Sequence, residues 1–409
     1  MRIIHTSDWH IGKNLDNVSR LEEQERFLTD FENLVEEKNP DIVLIAGDIY
    51  DTYNPPIQAE SLFYKTIKKI SNGGERCVFI IAGNHDSPEK LESIRPLVRE
   101  DGIVILGYPT SSADIGRYRG FEIIEAYSGF TKIRINGEVI NIASLPYPSE
   151  KRLNEVFEGI EDTTVMQKSY SQKIGDIFSE LEKGFRDDEI NIATSHLFVV
   201  GSNISDSERR IELGGSMLVE KENLPKKSQY TALGHIHKPQ VMSKKLNVYY
   251  SGSPIQYSKN ERDTSKSVYI VDLEAGKEAV IEKEYVRNYR PIKVFNCDSL
   301  EDAFLIVDRF GEEDIYSYFE INTDKAIELE DLKRIKKGMK NVMEIRPVYT
   351  GEKEFEKKEI VDINKSNIEK YFCDFFRKSN SGLEPSQEVV DLFLDFISED
   401  EDEANKISN

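Results

Sequence analysis

Short apolar runs alternate with amphipathic stretches over the first 290 residues of the chain. Four of these runs consist mostly of apolar residues and end at a glycine or a polar residue; they lie at 42–46, 78–82, 190–193 and 230–233. Runs of this length and composition are typical of strands that are covered on both faces of a sheet. The pattern therefore predicts an α/β sheet system in this part of the chain.

Two helices and a hairpin are predicted among these strands. Leu62, Phe63 and Ile67 recur at helical spacing within 58–70, which indicates an amphipathic helix. Ser87 followed by proline is a typical helix start and predicts a second helix over 87–98. Within 131–148, alternating apolar residues flank Asn136-Gly137, a strong signal for a two-residue turn. An antiparallel layer therefore joins the sheet system.

From Pro291 the pattern changes to that of a separate small domain. Strands are predicted at 292–295, 315–321 and 342–348, and helices at 299–310 and 329–339. Asp298 and Glu301 are spaced like a capping box at the start of the first of these helices. We therefore expect one domain over 1–290 and a compact α/β domain over 291–350.

Residues 351–409 are predicted to hold a charged linker, two short amphipathic helices and an acidic tail. The first helix carries Tyr371, Phe372 and Phe376, and the second carries Leu392 and Phe393. So much aromatic surface is hard to bury within so small a piece. It indicates a docking surface for a partner, and the alternative is that the two helices fold back onto their own chain.

Composition bounds the functional class. The chain has 54 basic and 75 acidic residues, a formal net charge of -21, which taken alone argues against a nucleic-acid partner. Bound divalent metal ions would make an active site locally positive. Three cysteines without CxxC spacing support neither disulfides nor a zinc ribbon. The chain shows no signal sequence and no apolar run of membrane-spanning length, so a cytoplasmic location is predicted.

Five of the six histidines fall in short polar clusters, most of which follow an apolar run. The clusters are Asp8-Trp9-His10, Gly83-Asn84-His85-Asp86, Ser195-His196 and Gly234-His235-Ile236-His237, with a histidine-free companion at Gly47-Asp48. Polar residues at the carboxyl ends of strands are expected to converge on one site. Carboxylates, an amide and imidazoles without a thiolate suit Mn²⁺, Fe²⁺ or Zn²⁺ better than Ca²⁺ or a structural zinc. The chain is therefore predicted to be a metalloenzyme.

Two carboxylates, one amide oxygen and several imidazoles among these residues make about seven ligands. This number is too large for one metal ion and suits two ions that share a carboxylate. A pair of divalent ions polarises a phosphoryl oxygen, generates hydroxide at neutral pH and stabilises the leaving oxygen. The expected reaction is hydrolysis of a phosphate ester.

The clustered residues resemble the motifs of the calcineurin-like metallophosphoesterase superfamily. Four longer stretches resemble its SbcD family of bacterial nuclease subunits, in the branch of the Mre-eleven DNA-repair nucleases: 5–10, 46–52, 82–87 and 250–258. The matches cover about the first 260 residues. The resemblance implies a two-sheet metallophosphoesterase sandwich with flanking helices, a small α/β capping domain and C-terminal helices.

The resemblance also implies roles for individual residues. One metal would lie on Asp8, His10 and His237, the other on Asn84, His196 and His235, with Asp48 bridging them. His85 would then be a catalytic residue that protonates the leaving 3′-oxygen or holds the scissile phosphate. Asp51 stands where archaeal relatives often have a second histidine, so an outer supporting role is expected for it.

The same resemblance implies a function and partners. It implies two Mn²⁺ ions, DNA ends and hairpins as substrates, and a homodimer within a heterotetramer with an SbcC-like coiled-coil ATPase. Double-strand exonuclease activity would need the ATPase, whereas single-strand and hairpin endonuclease activity would not. The chain has no P-loop of its own. Two alternatives are a phosphomonoesterase or small-molecule phosphodiesterase, and a non-catalytic DNA-end scaffold.

Other residues near the motifs have two interpretations each. His5 is expected to support the metal site or simply to pack, whereas Trp9 is predicted to be a packing anchor and Asp86 to orient its neighbours. Six residues are candidates for phosphate contacts with DNA or for plain surface positions: Lys13, Asn14, Arg20, Lys238, Lys259 and Arg262. The helices at 58–70 and 87–98 are candidates for a dimer interface or for packing on their own sheet.

Overall fold

The computed structural model describes residues 1–153, 163–205, 207–208 and 217–349, with short pieces between 372 and 390. Two compact units are present, Met1–Tyr349 and Thr350–Asn409. The predicted linker, most of the two predicted terminal helices and the acidic tail lie outside the described residues. Within the described part of the chain, no helix has the length and apolar character needed to cross a membrane.

Two sheets form the larger part of the first unit. The first has the order β18-β17-β1-β4-β5-β6, with β1 (Arg2–Thr6), β4 (Ile42–Ala46), β5 (Cys77–Ile81), β6 (Ile103–Leu106), β17 (Ser267–Asp272) and β18 (Val280–Tyr285). The second has the order β15-β16-β14-β11-β10-β9-β8-β7, with β7 (Gly116–Arg117), β8 (Phe121–Tyr127), β9 (Phe130–Ile135), β10 (Glu138–Leu145), β11 (Ile190–His196), β14 (Tyr230–Gly234), β15 (Gln240–Ser243) and β16 (Val248–Tyr250). Short pairs are formed by β2 (Asn14–Leu15) with β3 (Val18–Ser19) and by β12 (Phe198–Val199) with β13 (Leu218–Val219).

Helices cover the outer faces of both sheets. They are α1 (Leu21–Lys38), α2 (Ile57–Ile70), α3 (Pro88–Ser93), α4 (Arg95–Val98), α5 (Glu150–Leu153) and α6 (Thr163–Leu181). Apolar side chains of β1, β4 and β5 pack against α1 and α2 on one face and against the second sheet on the other. The outer face of the second sheet packs against α6. The runs predicted to be buried strands are therefore strands between layers, and the predicted two-sheet sandwich with flanking helices is confirmed.

Local signals account for several of these elements. Asn136 and Gly137 both have positive φ, 50° and 90°, as the predicted tight turn between β9 and β10 requires. Ser87 caps α3 by accepting a hydrogen bond from Lys90 N. The helix predicted over 87–98 is interrupted, because α3 ends at Ser93 and α4 begins at Arg95. Pro96, which has no N–H, breaks the helical hydrogen-bond pattern there.

A three-stranded parallel sheet completes the first unit. It contains β19 (Ile292–Cys297), β20 (Tyr316–Thr323) and β21 (Val342–Tyr349), with α7 (Leu300–Phe310) and α8 (Leu329–Gly338) packed on its apolar side chains. The prediction that Asp298 and Glu301 form the capping box of α7 was wrong. Ser299 accepts from Asp302 N, and the Asp302 carboxylate accepts from Asp298 N. Ser299 is extended, with φ -157° and ψ 174°, the conformation that places a short hydroxyl over the first helical N–H groups.

This small domain contacts the sandwich through a compact joint. Leu15 packs with Ile292, Tyr316 and Tyr318, and the guanidinium of Arg20 lies 4.7 Å from the centre of the Tyr316 ring. Arg20 was a candidate for DNA contact, and this interpretation was wrong. Its side chain is buried, donating to Glu23 and to Gln256 O, so it stabilises the fold.

Candidate metal centre

The seven predicted ligands lie at the carboxyl ends of five strands. Those from the first sheet, Asp8, His10, Asp48 and Asn84, follow β1, β4 and β5, and those from the second sheet, His196, His235 and His237, lie at the ends of β11 and β14. Within each sheet these strands are parallel, so their ends lie at the same edge. All seven side chains are buried, and the structure brings them together.

The loops that carry the ligands are strained. Asp8, His10, Asp48 and His235 all have positive φ, at 54°, 43°, 50° and 104°, a region that costs free energy for residues with a side chain. Hydrogen bonds between the loops hold them there: Asp8 N donates to Gly47 O, His10 N to Asp48 O and His235 N to the Asp8 carboxylate. Strain held by surrounding structure is a common feature of functional sites.

Asp8, His10 and His237 form the first group of potential ligands. His10 Nε2 and His237 Nε2 lie 3.0 Å apart. His237 Nδ1 lies 2.6 Å from Ser207 Oγ, and that hydroxyl also contacts the Glu261 carboxylate. A carboxylate only accepts, so Ser207 donates to Glu261 and accepts from His237 Nδ1–H. His237 Nε2 therefore presents a lone pair to the site.

Asp48, His196 and His235 form the second group, which Asn84 joins. Asn84 Oδ1 lies 3.0 Å from both His196 Nε2 and His235 Nδ1. His196 Nδ1 lies 2.9 Å from Ala46 O, so Nδ1 carries a proton and Nε2 is the atom that faces Asn84 Oδ1. In the metal-free protein a proton on Nε2 satisfies this contact, and a bound cation would take the place of that proton.

Asp48 lies between the two groups. Its Oδ2 is 3.4 Å from His10 Nε2 and 3.4 Å from His196 Nε2, while its Oδ1 accepts from His85 N. Gly83 packs so closely that a Cβ at this position would overlap the Asp48 carboxylate, which explains why glycine precedes Asn84. One carboxylate oxygen therefore faces both groups.

The charges of the site favour a cation. Burial would lower the pKa of His196, but the adjacent Asp48 carboxylate outweighs it and raises that pKa to about 9. Burial, with a smaller contribution from the neighbouring His85 and His237, lowers the pKa of His10 to about 3 despite Asp48. Asp48 thus favours a positive charge at His196 in the metal-free site. His10 stays neutral, and the neutral form of histidine is the one that binds metal. These donors fit divalent metal ions.

We expect metal binding to release a proton. His196, with a pKa of about 9, is protonated below that pH in the metal-free protein, and it must lose its proton to bind a metal. Mn²⁺ affinity should therefore rise with pH up to about 9 and then level off. Isothermal titration calorimetry in buffers of different ionisation enthalpy would measure the released protons. An affinity that does not change between about pH 7 and 9 would contradict the assignment of His196.

His85 lies beside the first ligand group but is not one of its three members. Its ring is 4.7 Å from that of His10, edge to face, and its Nδ1 is 2.6 Å from the backbone oxygen of Asp51. Nδ1 therefore carries a proton, and Nε2 is the ring nitrogen that this contact leaves available. The Asp51 carboxylate accepts from Lys13 at 2.7 Å and lies 3.6 Å from His10 Nδ1. His10, Asp51 and His85 also form a third group of potential ligands.

A family model for calcineurin-like phosphoesterases matches residues 1–239. The SbcD subunit of the SbcCD nuclease from Bacillus subtilis strain 168 is 37% identical over 408 residues, 99% of this chain and 100% of the relative. This chain is a calcineurin-like phosphoesterase of the SbcD family. The protein of the same name from Staphylococcus epidermidis is 28% identical over 67% of this chain and 66% of its own length. A dimetal phosphatase from Danio rerio, a solved structure, is 10% identical over 69% of this chain and 99% of its own, with a TM-score of 0.37.

Other motif residues of this SbcD-family chain have structural contacts. Asp86 accepts from three backbone N–H groups, those of Ile49, Tyr50 and Gly83, so it orients the loops as expected. Trp9 packs against three phenylalanines, Phe27, Phe31 and Phe63, as a packing anchor does. His5 is buried with Nδ1 2.8 Å from the Tyr230 hydroxyl and its ring stacked on Tyr269, which favours packing between the sheets.

No local pattern in the sequence marks the residues that hold His237. Glu208 accepts from His237 N at 2.9 Å, and Lys266 Nζ donates to His237 O at 2.8 Å. Lys266 also forms a buried ion pair with Glu261. Because these residues lie 24 to 30 positions from His237 with no regular spacing, only the folded chain shows that they act on it.

Replacing Glu261 by glutamine should weaken Mn²⁺ binding at one of the two predicted metal positions by about 10–100-fold, because residues that hold a metal-binding histidine affect affinity to this extent. Glutamine would leave the Lys266 charge buried without its partner and Ser207 without its carboxylate acceptor. Calorimetry with Mn²⁺ measures both affinities. The control is Glu189→Gln, which breaks a partly buried ion pair with Lys132 outside the site and should change neither. Two unaltered affinities in Glu261→Gln would contradict the assigned role.

Proposed function

We propose that this protein is a two-metal DNA phosphodiesterase, the nuclease subunit of a complex that acts in DNA repair, recombination and replication. The observation that carries the proposal is the position of Asp48, one oxygen of which lies 3.4 Å from a histidine of each ligand group. Such a carboxylate suits the bridge of a two-metal site. The full-length similarity to the Bacillus subtilis nuclease subunit supports DNA as the substrate.

Each site residue has a proposed role. Asp8, His10 and His237 would hold one Mn²⁺, Asn84, His196 and His235 would hold the other, and Asp48 would be shared by both. The ions would supply an activated water and neutralise charge on the phosphate. His85, with Nδ1 fixed on Asp51 O, uses Nε2 to deliver a proton to the leaving 3′-oxygen. Lys13 holds the Asp51 carboxylate, and so supports the loop that orients His85.

The small domain is proposed to guide DNA towards the centre. A cleft of about 590 Å³ separates it from the sandwich, lined by Lys13, Tyr257 and Lys259 on one side and by Tyr318 and Glu344 on the other. The cleft lies next to the centre, because Tyr257 lines it and the Tyr257 ring lies 5.5 Å from that of His10. This proposal includes a boundary near residue 290 between the sandwich and the capping domain. It also includes the docking of residues 351–409 on a partner protein.

The partners follow from the same family membership. We infer an SbcC-like coiled-coil ATPase, a homodimer within a heterotetramer, and a cytoplasmic location. DNA ends and hairpins are the proposed substrates, with double-strand exonuclease activity in the complex and single-strand or hairpin endonuclease activity without the ATPase. Binding of the 351–409 segment, within the full chain, to an SbcC-like coiled coil would test the partner.

The test of the function compares substrates. Purified protein with Mn²⁺ should cut labelled single-stranded or hairpin DNA, should cut labelled linear duplex only with the ATPase partner, and should leave a chromogenic phosphomonoester nearly unchanged. Thr52-Tyr53 follows Asp51 here, where protein phosphatases of the superfamily have Arg-Gly, which argues against the phosphomonoesterase alternative. Cleavage of the monoester alone would establish that alternative, and no metal-dependent cleavage of any substrate would favour a DNA-end scaffold.

A further inference from the structure

Arg152 lies behind the loop that carries Asn84 and His85. It belongs to α5, and its side chain is buried, with 7% of the residue exposed. Its two terminal nitrogens donate to the backbone oxygens of Gly83 and Asp86, both at 2.8 Å. These two carbonyl groups flank Asn84-His85 in the chain, so a single guanidinium holds both ends of this turn.

The same guanidinium reaches the second ligand group through an aromatic ring. It lies 5.3 Å from the centre of the Tyr147 ring, which is stacked beside His235 at 6.4 Å and meets His196 edge to face at 6.1 Å. Arg152 also donates to the Tyr53 hydroxyl at 3.2 Å. It therefore contacts, directly or through Tyr147, the surroundings of Asn84, His196 and His235.

The chemistry of the contact requires arginine. A guanidinium is planar, and its donors point in fixed directions, so it binds two carbonyl oxygens at once and stacks on a ring. A lysine ammonium is a point charge on a flexible stem. On its inner side the turn is held by His85 N on the Asp48 carboxylate. The Asp86 carboxylate also accepts from Gly83 N across the turn. Arg152 adds support from the other side by binding the Gly83 and Asp86 carbonyl oxygens.

We propose that Arg152 is a positioning residue that holds the Gly83–Asp86 turn, and thereby places Asn84 on the second metal and His85 on the leaving group. This inference rests on the proposed two-metal nuclease function. Misplacement of a reacting group by about 1 Å costs on the order of 10²-fold in rate. The cost should appear in kcat, because Arg152 is buried and contacts the backbone of the turn.

The test uses the full chain with Arg152→Met and Arg152→Lys. The methionine variant should lower kcat for DNA cleavage by about 10²-fold with KM little changed, and should weaken one of two Mn²⁺ ions in calorimetry. The lysine variant should recover part of both losses. The control is Arg76→Met: Arg76 is also buried and donates to backbone oxygens, those of Pro40 and Ile70, but outside the site. It should reduce thermal stability without reducing kcat.

A double-mutant cycle with His85→Ala separates positioning from loss of folding. If Arg152 acts through His85, Arg152→Met should cost much less in the His85→Ala background than in the wild type. Equal costs in both backgrounds together with unaltered Mn²⁺ binding, or equal kcat losses in Arg152→Met and Arg76→Met, would overturn the inference. If Arg152→Met fails to fold, the lysine variant carries the same test. If wild-type protein binds two Mn²⁺ ions but cuts no DNA, the proposed function fails, and the weakened second ion still tests Arg152.

Discussion

Replacing His85 by alanine should lower kcat for DNA cleavage by about 10²–10⁴-fold, the usual contribution of a general acid, and leave two Mn²⁺ ions bound. The reason is geometric: Nδ1 is occupied by Asp51 O, and His85 stands beside the ligand groups around Asp48. Steady-state cleavage of labelled DNA and calorimetry with Mn²⁺ measure the two quantities separately.

A substrate with a better leaving group shows whether His85 acts as an acid. A p-nitrophenyl phosphodiester loses a stable anion that needs no proton, so His85→Ala should cost far less on this substrate than on DNA. Equal losses on both substrates would assign His85 to holding the phosphate instead. Loss of one Mn²⁺ ion would place His85 among the ligands, in the group with His10 and Asp51, and would contradict its assignment as an acid.

Replacing Asp48 by alanine should weaken both metal ions together and reduce DNA cleavage by roughly 10³-fold or more, because the metal ions contribute several kcal/mol of transition-state stabilisation. Asp48 is the carboxylate that faces both ligand groups, and it also accepts from His85 N. The metal content of the dialysed protein, measured by mass spectrometry, checks the first effect.

Asp272→Asn provides the control for Asp48→Ala. Asp272 forms an exposed ion pair with Arg2, and exposed pairs of this kind contribute little to stability, so metal content and cleavage should stay at the wild-type level. An Asp48→Ala protein that loses only one ion would show that Asp48 binds a single metal and does not bridge.

The parts of the fold that the sequence predicts are those determined by local chemistry. Asn136-Gly137 predicts its turn because both residues tolerate positive φ, and the apolar runs predict strands because buried strands need apolar side chains on both faces. The convergence of the candidate ligands was predictable for a related reason: polar residues after parallel strands meet at one edge of a sheet. Asp8, Asp48 and Asn84 follow this rule.

The supports of the site were not predictable in this way. Arg152 lies 66 positions from Asp86 and 69 from Gly83, and Lys266 lies 29 from His237, so these contacts exist only after the sheets and loops have packed. Arg20 shows the opposite error. A basic residue near a motif suggested a surface that meets DNA, whereas the small domain covers it with Tyr316. Burial of a charged side chain by a distant element has no local sequence signal.

The most direct test of the two-metal centre is anomalous diffraction from crystals of the Mn²⁺-bound protein. Two anomalous peaks are expected, one among Asp8, His10 and His237 and the other among Asn84, His196 and His235, with the Asp48 carboxylate between them. A single peak, or a peak held by His10, Asp51 and His85, would contradict the two-metal assignment.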